Sequence, residues 1–281
     1  MLTPEQREGL LALYDTPEGP GYDRDHARRT AALAVAVARR LGFAEDVLER
    51  FETACLLHDV ARVGLDKGLF GRIWTLARQE ELPTRPKELR DRFGLEPGEE
   101  MAYLLRRLSP KLIHAGIPVD ARTREQVRMR LDVKARQAEM LRRFATRLRD
   151  LQVAVEPWME QVTLHYYYPE ELAQAPGWVR SLGATLVACE QFEAHNNRER
   201  GRDYYDRQQE SLEETFAYLN ELVGSGAIGR EHYRALAELV LEGSLNPILK
   251  EARGLPVAAP LPTADRAFLE QLRQDAGSGS L

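Results

Sequence analysis

The sequence predicts an all-α protein, and three observations support that fold class. Apolar residues recur at helical spacing in almost every segment of the 281-residue chain. Two capping boxes, at Thr3 to Gln6 and Ser211 to Glu214, mark the starts of helices. No segment carries a strong strand signal.

The helices follow one another along the chain with short connections. The first begins at the N-terminal capping box and is followed by a loop at 17–21. The apolar run AALAVAVA predicts that the next helix is buried. Residues 65–115 are mixed and charged and contain four prolines, so we expect an irregular, partly helical insertion there. We predict helices at about 4–14, 25–41, 44–60, 123–163, 179–196, 211–223 and 229–241.

These elements divide the chain into three parts. Residues 1–21 form an N-terminal helix and loop. Residues 22–242 form the main domain, a helical bundle that contains the insertion at about 65–115. Residues 243–281 form a proline-containing strap and a short final helix, with 277–280 expected to be mobile.

Composition and charge exclude several classes of function. A net charge of −5 and a pI of about 5.8 argue against general nucleic-acid binding, which requires a basic surface. No run approaches the ~18 consecutive apolar residues of a membrane helix. The N-terminus lacks the basic and apolar regions of a signal peptide. Cys55 and Cys189 lie in apolar runs, so we expect buried thiols in a cytoplasmic protein.

The pair His58-Asp59 is the first candidate for chemistry. Ala54 and Cys55 share the helix face of His58, and that face is apolar. A buried carboxylate is costly unless it is paired or bound to a cation. His26 lies near the start of a second apolar helix. The alternative at each position is structural: a satisfied core or interfacial histidine and a solvated aspartate.

Glu190 is the third candidate. It lies in the run TLVACEQFEAH, where Leu186 shares its helix face. A carboxylate on a core-facing stripe must shift its pKa upward or find a cation. The alternative is a glutamate at the margin of the stripe that pairs with Arg29 or Arg62.

Two histidines and two carboxylates on three buried helices suit a divalent metal. Imidazole suits Zn, Fe, Mn and Ni, and carboxylates add affinity for Mn, Fe and Mg. We therefore predict a metal site formed by His26, His58, Asp59 and Glu190. An octahedral ion with four protein ligands keeps positions for water and substrate, and it lowers the pKa of bound water.

In this order, the four residues resemble the H…HD…D pattern of the HD superfamily of metal-dependent phosphohydrolases. The segment ACLLHDVARVG is similar to the central helix of that family, usually written LLHDIGKIG. The resemblance implies the metal ligands named above, with Glu190 in the place of the distal Asp. It also implies a phosphate contact for Arg62, which stands where many members carry Lys.

The resemblance extends to the HD-GYP domains, which hydrolyse cyclic di-GMP. The segment around Glu190 looks like their GARIxAVADxxDALxxxRxYR pattern, and SLEETFAYL looks like SxEEALxxL. The signature HHExxDGxGYP is reduced to His165 to Pro169, and Val133 stands at a helix position where that subgroup has a histidine. These missing ligands argue against the bi- or trinuclear centre of active cyclic di-GMP hydrolases, so we expect a divergent HD-GYP-like domain with a mononuclear or weakly binuclear centre. His165 is a candidate ligand for a second metal or substrate, or a loop histidine with no metal role.

Two functions follow from this resemblance. The first is a phosphohydrolase or phosphodiesterase that acts on a nucleotide or cyclic dinucleotide. In it, Asp59 orients or deprotonates the attacking water and Arg62 clamps phosphate. The second is a catalytically degenerate binding or regulatory protein. A structural interaction domain without metal is a third reading.

Three further features are expected to be peripheral. His114 and His195 are predicted to be structural or surface residues. The charged run Arg198 to Asp203 is predicted to be a solvated turn, with a basic rim for phosphate as the alternative.

Overall fold

A computed structural model describes residues 2–17, 19–198 and 211–277. These residues form 15 α-helices and no β-strand, apart from an isolated bridge between Thr16 and Gly19. The all-α prediction is confirmed. Within the described ranges, no helix combines the length and the apolar content needed to cross a bilayer.

The helices are numbered in chain order. The first eight are α1 (Pro4–Leu11), α2 (Arg24–Arg40), α3 (Glu45–Leu57), α4 (Lys67–Gln79), α5 (Pro86–Phe93), α6 (Glu100–His114), α7 (Ala121–Leu131) and α8 (Val133–Arg143). The other seven are α9 (Ala145–Asp150), α10 (Pro157–Leu164), α11 (Gly177–Asn196), α12 (Leu212–Gly224), α13 (Arg230–Leu241), α14 (Asn246–Ala252) and α15 (Thr263–Gly277). Short 3-10 turns cover Val60–Arg62 and Pro169–Leu172.

The main core is centred on α2, which packs against both α3 and α11. Leu33 and Val37 of α2, Phe51 of α3 and Leu182 of α11 are at most 1% exposed. Complete burial of a side chain of this size contributes about 1.5–3 kcal/mol. The packing of these three helices brings the start of α2, the end of α3 and the last two turns of α11 to one place.

The end of α3 differs slightly from the prediction. The helix stops at Leu57, and His58 is its C-cap. Asp59 then adopts φ −100° and ψ 15°, outside the α-helical range, before the turn Val60–Arg62. His58 Nδ1 forms a hydrogen bond with the Cys55 carbonyl oxygen. This side-chain bond replaces the backbone bond that a continuing helix would make to that oxygen. The chain therefore turns at the His58-Asp59 pair.

The insertion is more regular than the sequence indicated. It contains α4, α5 and α6, which pack with α7 around a second apolar cluster that includes Phe70, Trp74 and Leu108. Pro86 occupies the first turn of α5, where a missing backbone N–H costs nothing. Pro110 is an exception, because it lies inside α6, so the prolines that we interpreted as interruptions do not make the segment irregular.

The predicted long helical region at 123–163 is divided into four helices, α7 to α10. Asp132 interrupts it between α7 and α8, and Gln152 adopts a left-handed φ of 57° before α10. In the C-terminal part, α15 has 15 residues and is longer than expected. The predicted turn over 199–203 and the tail at 278–280 lie outside the described residues.

Candidate metal centre

Three side chains from two helix ends form the centre. His26 lies in the first turn of α2, and His58 and Asp59 follow the last residue of α3. Their side chains are at most 3% exposed. The ligand atoms of His26, His58 and Asp59 all lie within 4.8 Å of one another. Two of the three predicted helices therefore bring their candidate ligands together.

The donor atoms form a small triangle. His26 Nε2 lies 3.1 Å from His58 Nε2. Asp59 Oδ2 lies 3.6 Å from His26 Nε2 and 3.7 Å from His58 Nε2. Ligands about 2.1 Å from one ion stand roughly 3.0–3.4 Å apart in octahedral and tetrahedral geometry. The triangle is therefore close to the size that a single divalent ion requires.

The other ring nitrogen of each histidine has an acceptor. His58 Nδ1 lies 2.6 Å from the Cys55 carbonyl oxygen, and His26 Nδ1 bonds Glu193 Oε2. Because a carbonyl and a carboxylate can only accept, each Nδ1 carries the proton. In the neutral rings both Nε2 atoms then present lone pairs to each other. The three side chains could hold a metal ion, which would accept both lone pairs and also engage Asp59 at the third corner.

Glu193 on α11 orients the His26 ring. Its side chain is fully buried, and its Oε1 accepts from Arg29 Nε at 2.7 Å and from Asn197 Nδ2 at 3.0 Å. Carboxylates that accept the second N–H of a ligating histidine fix its tautomer and raise its basicity. Glu193 therefore supports the centre without belonging to the triangle.

Asp59 and Arg62 are neighbours in the turn after α3. Arg62 Nη1 donates to Asp59 Oδ2 at 3.0 Å, and Arg62 Nη2 lies 3.3 Å from Asp23. Arg62 and Asp23 are buried. The pKa of the buried Tyr14 phenol is raised by desolvation and, in addition, by the charges of Asp59 and Asp23. The carboxylate that faces both imidazoles is therefore held in an ionic network.

Glu190 lies beside the triangle and not in it. It is buried on α11, and its carboxylate is absent from the group of atoms within 4.8 Å of one another. It lines a cavity of about 220 Å³ together with Arg62 and Tyr167. Burial raises the pKa of the Tyr167 phenol, and the charges of Glu190 and Asp59 raise it further. Tyr167 is therefore a protonated phenol in the field of both carboxylates.

The remaining histidines lie outside the triangle, although His195 lines the 220 Å³ cavity. The His165 ring packs against Gly183 of α11, ten residues and therefore about 15 Å along the helix from Glu193. Desolvation lowers its pKa. His114 is exposed at the end of α6. The His195 ring stacks on Tyr218 at 4.5 Å. The structure does not bring His165 to the triangle.

A second cavity borders the other side of the centre. It has a volume of about 770 Å³ and is lined by residues that include His26, Arg29 and Glu251. One cavity therefore adjoins the centre at His26, and the other adjoins it at Arg62.

Comparisons of the chain with family models, with curated proteins and with solved structures each found no match. The resemblance to the HD superfamily therefore stays a prediction that depends on the quoted motifs.

Sequence reasoning missed the roles of Glu193 and Asn197, and it offered Arg29 as a partner of Glu190, whereas Arg29 pairs with Glu193. One signal was present: Glu193 lies one helical turn after Glu190, so one of the two had to face α2 more directly. Which one does so depends on the rotation of α11 in the core, and the sequence alone does not specify that rotation.

Proposed function

We propose that this protein is a mononuclear, metal-dependent phosphohydrolase that acts on a phosphoester of the nucleotide class. His26 and His58 hold the ion through Nε2, and Asp59 holds it through Oδ2. One observation carries the proposal: two imidazole nitrogens whose tautomers are fixed face each other at 3.1 Å beside a buried carboxylate. A divalent ion at such a site supplies a Lewis acid and lowers the pKa of water.

The protein residues around the centre have distinct roles. Glu193 and the Cys55 carbonyl keep the protons on Nδ1 and the lone pairs on Nε2. Asp59 contributes a ligand and a base that can accept a proton from water. Arg62 reaches both Asp59 and the 220 Å³ cavity, so its guanidinium is positioned to pair with a phosphate oxygen.

A hydrolysis assay tests this proposal. Protein loaded with Mn²⁺ or Fe²⁺ is incubated with nucleoside mono-, di- and triphosphates and with cyclic dinucleotides, and the released product is measured. We expect metal-dependent turnover that His58→Ala abolishes. His114→Ala is the matched control, because His114 is exposed at the end of α6 and should leave turnover unchanged. Metal-loaded protein that hydrolyses none of these substrates would contradict the proposal.

The second candidate is a binding or regulatory protein that keeps the metal centre without hydrolysis. One observation favours it: Arg62 already donates to the Asp59 oxygen that faces both histidines. A cation at this position competes with a metal ion for the same carboxylate. Metal binding in the absence of turnover, over the full range of substrates, would favour this candidate.

A further inference from the structure

Four arginines line the 220 Å³ cavity between the inserted helices and the main core. They are Arg62, Arg78, Arg85 and Arg130, and we call this cavity the arginine cleft. Two carboxylates, from Glu88 and Glu190, also line it. Arginines therefore outnumber carboxylates in this lining, with Arg85 paired to Glu88 and Arg62 paired to Asp59 and Asp23. Bringing like charges together is unfavourable, and a bound anion relieves the repulsion.

Three of these arginines come from the helices around the second apolar cluster. Arg78 lies in the last turn of α4, Arg85 is the N-cap of α5, and Arg130 lies near the end of α7. Only Arg62 among the four comes from the turn after α3. The insertion thus supplies two of the four arginines, and α7, which packs against it, supplies a third.

Several contacts hold these side chains in place. Arg130 donates to the carbonyl and the hydroxyl of Thr84, each at 3.0 Å, and lies over the Trp74 ring. The Arg85 guanidinium lies 4.8 Å from the centre of the Tyr166 ring. Guanidinium groups positioned in this way lose little entropy when they bind an anion, and their planar fork matches the oxygens of a phosphate.

The cleft adjoins the metal centre. Arg62 lines the cleft and also donates to Asp59. Tyr167 lines the cleft and lies in the electrostatic field of Asp59 and Glu190. A phosphate in the cleft would therefore be adjacent to the residues of the triangle.

We propose that the arginine cleft binds the phosphate groups of a small phosphorylated ligand, and that the insertion thereby limits the size of the substrate. Pockets for drug-sized ligands have volumes of about 300–1,000 Å³. The cleft, at about 220 Å³, is smaller, so it fits pyrophosphate or the phosphates of a single nucleotide better than a cyclic dinucleotide. The statement about substrate size rests on the proposed function, whereas anion binding does not.

Calorimetric titration of the metal-free protein tests the proposal. The probes are pyrophosphate, a nucleoside diphosphate and a cyclic dinucleotide. We expect saturable binding of the first two and weaker binding of the third. Arg78→Gln and Arg85→Gln should each weaken pyrophosphate binding about tenfold or more, because each removes a charge-assisted hydrogen bond.

Arg107→Gln is the matched control. Arg107 is exposed on α6 of the same insertion and does not line the cleft, so its replacement should leave binding unchanged. Circular dichroism and the thermal midpoint establish that each variant folds. The proposal is overturned if pyrophosphate does not bind saturably, if the two cleft variants bind it like Arg107→Gln, or if the cyclic dinucleotide binds more tightly.

This experiment separates the cleft from the proposed function. Pyrophosphate binding without any metal-dependent hydrolysis supports the cleft and contradicts the enzymatic proposal. Hydrolysis of nucleotides by a protein that does not bind pyrophosphate supports the enzymatic proposal and overturns the cleft.

Discussion

At the scale of single residues, the candidate metal centre depends on which ring nitrogen of each histidine carries a proton. Cys55 and Glu193 supply the acceptors that assign those protons, and neither position is part of the recognisable motif. The motif residues His26, His58 and Asp59 could be predicted because the sequence places them on apolar helix faces. Their orienting partners depend on contacts between helices that are distant in sequence.

Glu190 and Glu193 show this limit most clearly. They are three residues apart on α11, so their directions differ by about 60° around the helix axis. Both positions are buried, and a helical pattern cannot distinguish between them. The rotation of α11 against α2 directs Glu193 to His26 and leaves Glu190 at the arginine cleft.

A comparison of two variants tests this assignment. Glu193→Gln retains an acceptor for His26 Nδ1 but loses the charge, so we expect metal affinity to fall about 10- to 100-fold. Glu190→Gln should have a much smaller effect. Competition with a chelating dye measures both affinities. A larger loss in Glu190→Gln would instead make Glu190 the fourth ligand that the family resemblance implies.

At the scale of helices, the C-terminal part of the chain fixes the end of α11. Arg253 follows α14, is buried, donates to Asn196 Oδ1 at 3.0 Å and pairs with Asp265 of α15. Asp265 Oδ1 also accepts from the backbone N–H of Leu212 at 2.8 Å. The predicted strap therefore joins α11, α12 and α15. This junction is next to Asn197, which donates to Glu193.

Removal of Arg253 should destabilise the protein strongly. Arg253→Ala leaves Asp265 as a buried carboxylate without its cation, and breaking such a pair costs about 3–5 kcal/mol. Urea unfolding followed by circular dichroism measures the change. Arg266→Ala is the control. Arg266 is exposed on α15, next to Asp265, and its replacement should have little effect. Equal effects of the two substitutions would show that the buried pair contributes nothing specific.

The helices themselves were predicted with uneven success. Buried helices such as α2 and α11 have long apolar runs, and their positions agree with the sequence pattern. The insertion was less predictable, because a proline begins α5 and another lies inside α6, so proline did not mark irregular structure there. Tertiary packing around Trp74 stabilises them, and local propensity does not reveal that packing.

At the scale of the whole molecule, stability should depend on pH through buried histidines. Desolvation lowers the pKa of His165 and of His232. The backbone N–H of Gly229 donates to His232 Nδ1, and His232 Nε2 lies 3.1 Å from the Ser181 carbonyl oxygen. This arrangement requires the neutral ring, because protonation of Nδ1 would remove the acceptor that Gly229 uses.

The sign of the effect follows from proton binding. The unfolded chain takes up these protons near pH 6.5, the ordinary histidine pKa, whereas the folded protein takes them up only at lower pH. The thermal midpoint should therefore fall as the pH decreases from about 7.5 to about 5.5. His232→Gln should show a shallower decrease, and this comparison isolates His232 from the histidines of the metal centre. A wild-type midpoint that rises on acidification would contradict the prediction.

The arginine cleft forms only when the insertion packs against the main core. The two apolar clusters likewise depend on contacts between segments that are distant in sequence. The sequence indicated an inserted segment at about 65–115, but not that this segment and α7 together would place three arginines beside the candidate metal centre. Those arginines come from α4, the start of α5 and α7, so only the assembled fold brings them together.

The most direct test of the central claim is elemental analysis of protein purified without chelator. The triangle of His26, His58 and Asp59 predicts about one divalent ion per chain, lost in the double substitution His26→Asn and His58→Asn but retained in His114→Ala. A wild-type protein that contains no metal, and takes up none from Mn²⁺, Fe²⁺ or Zn²⁺ solutions, would contradict the account. So would a double variant that retains the full metal content.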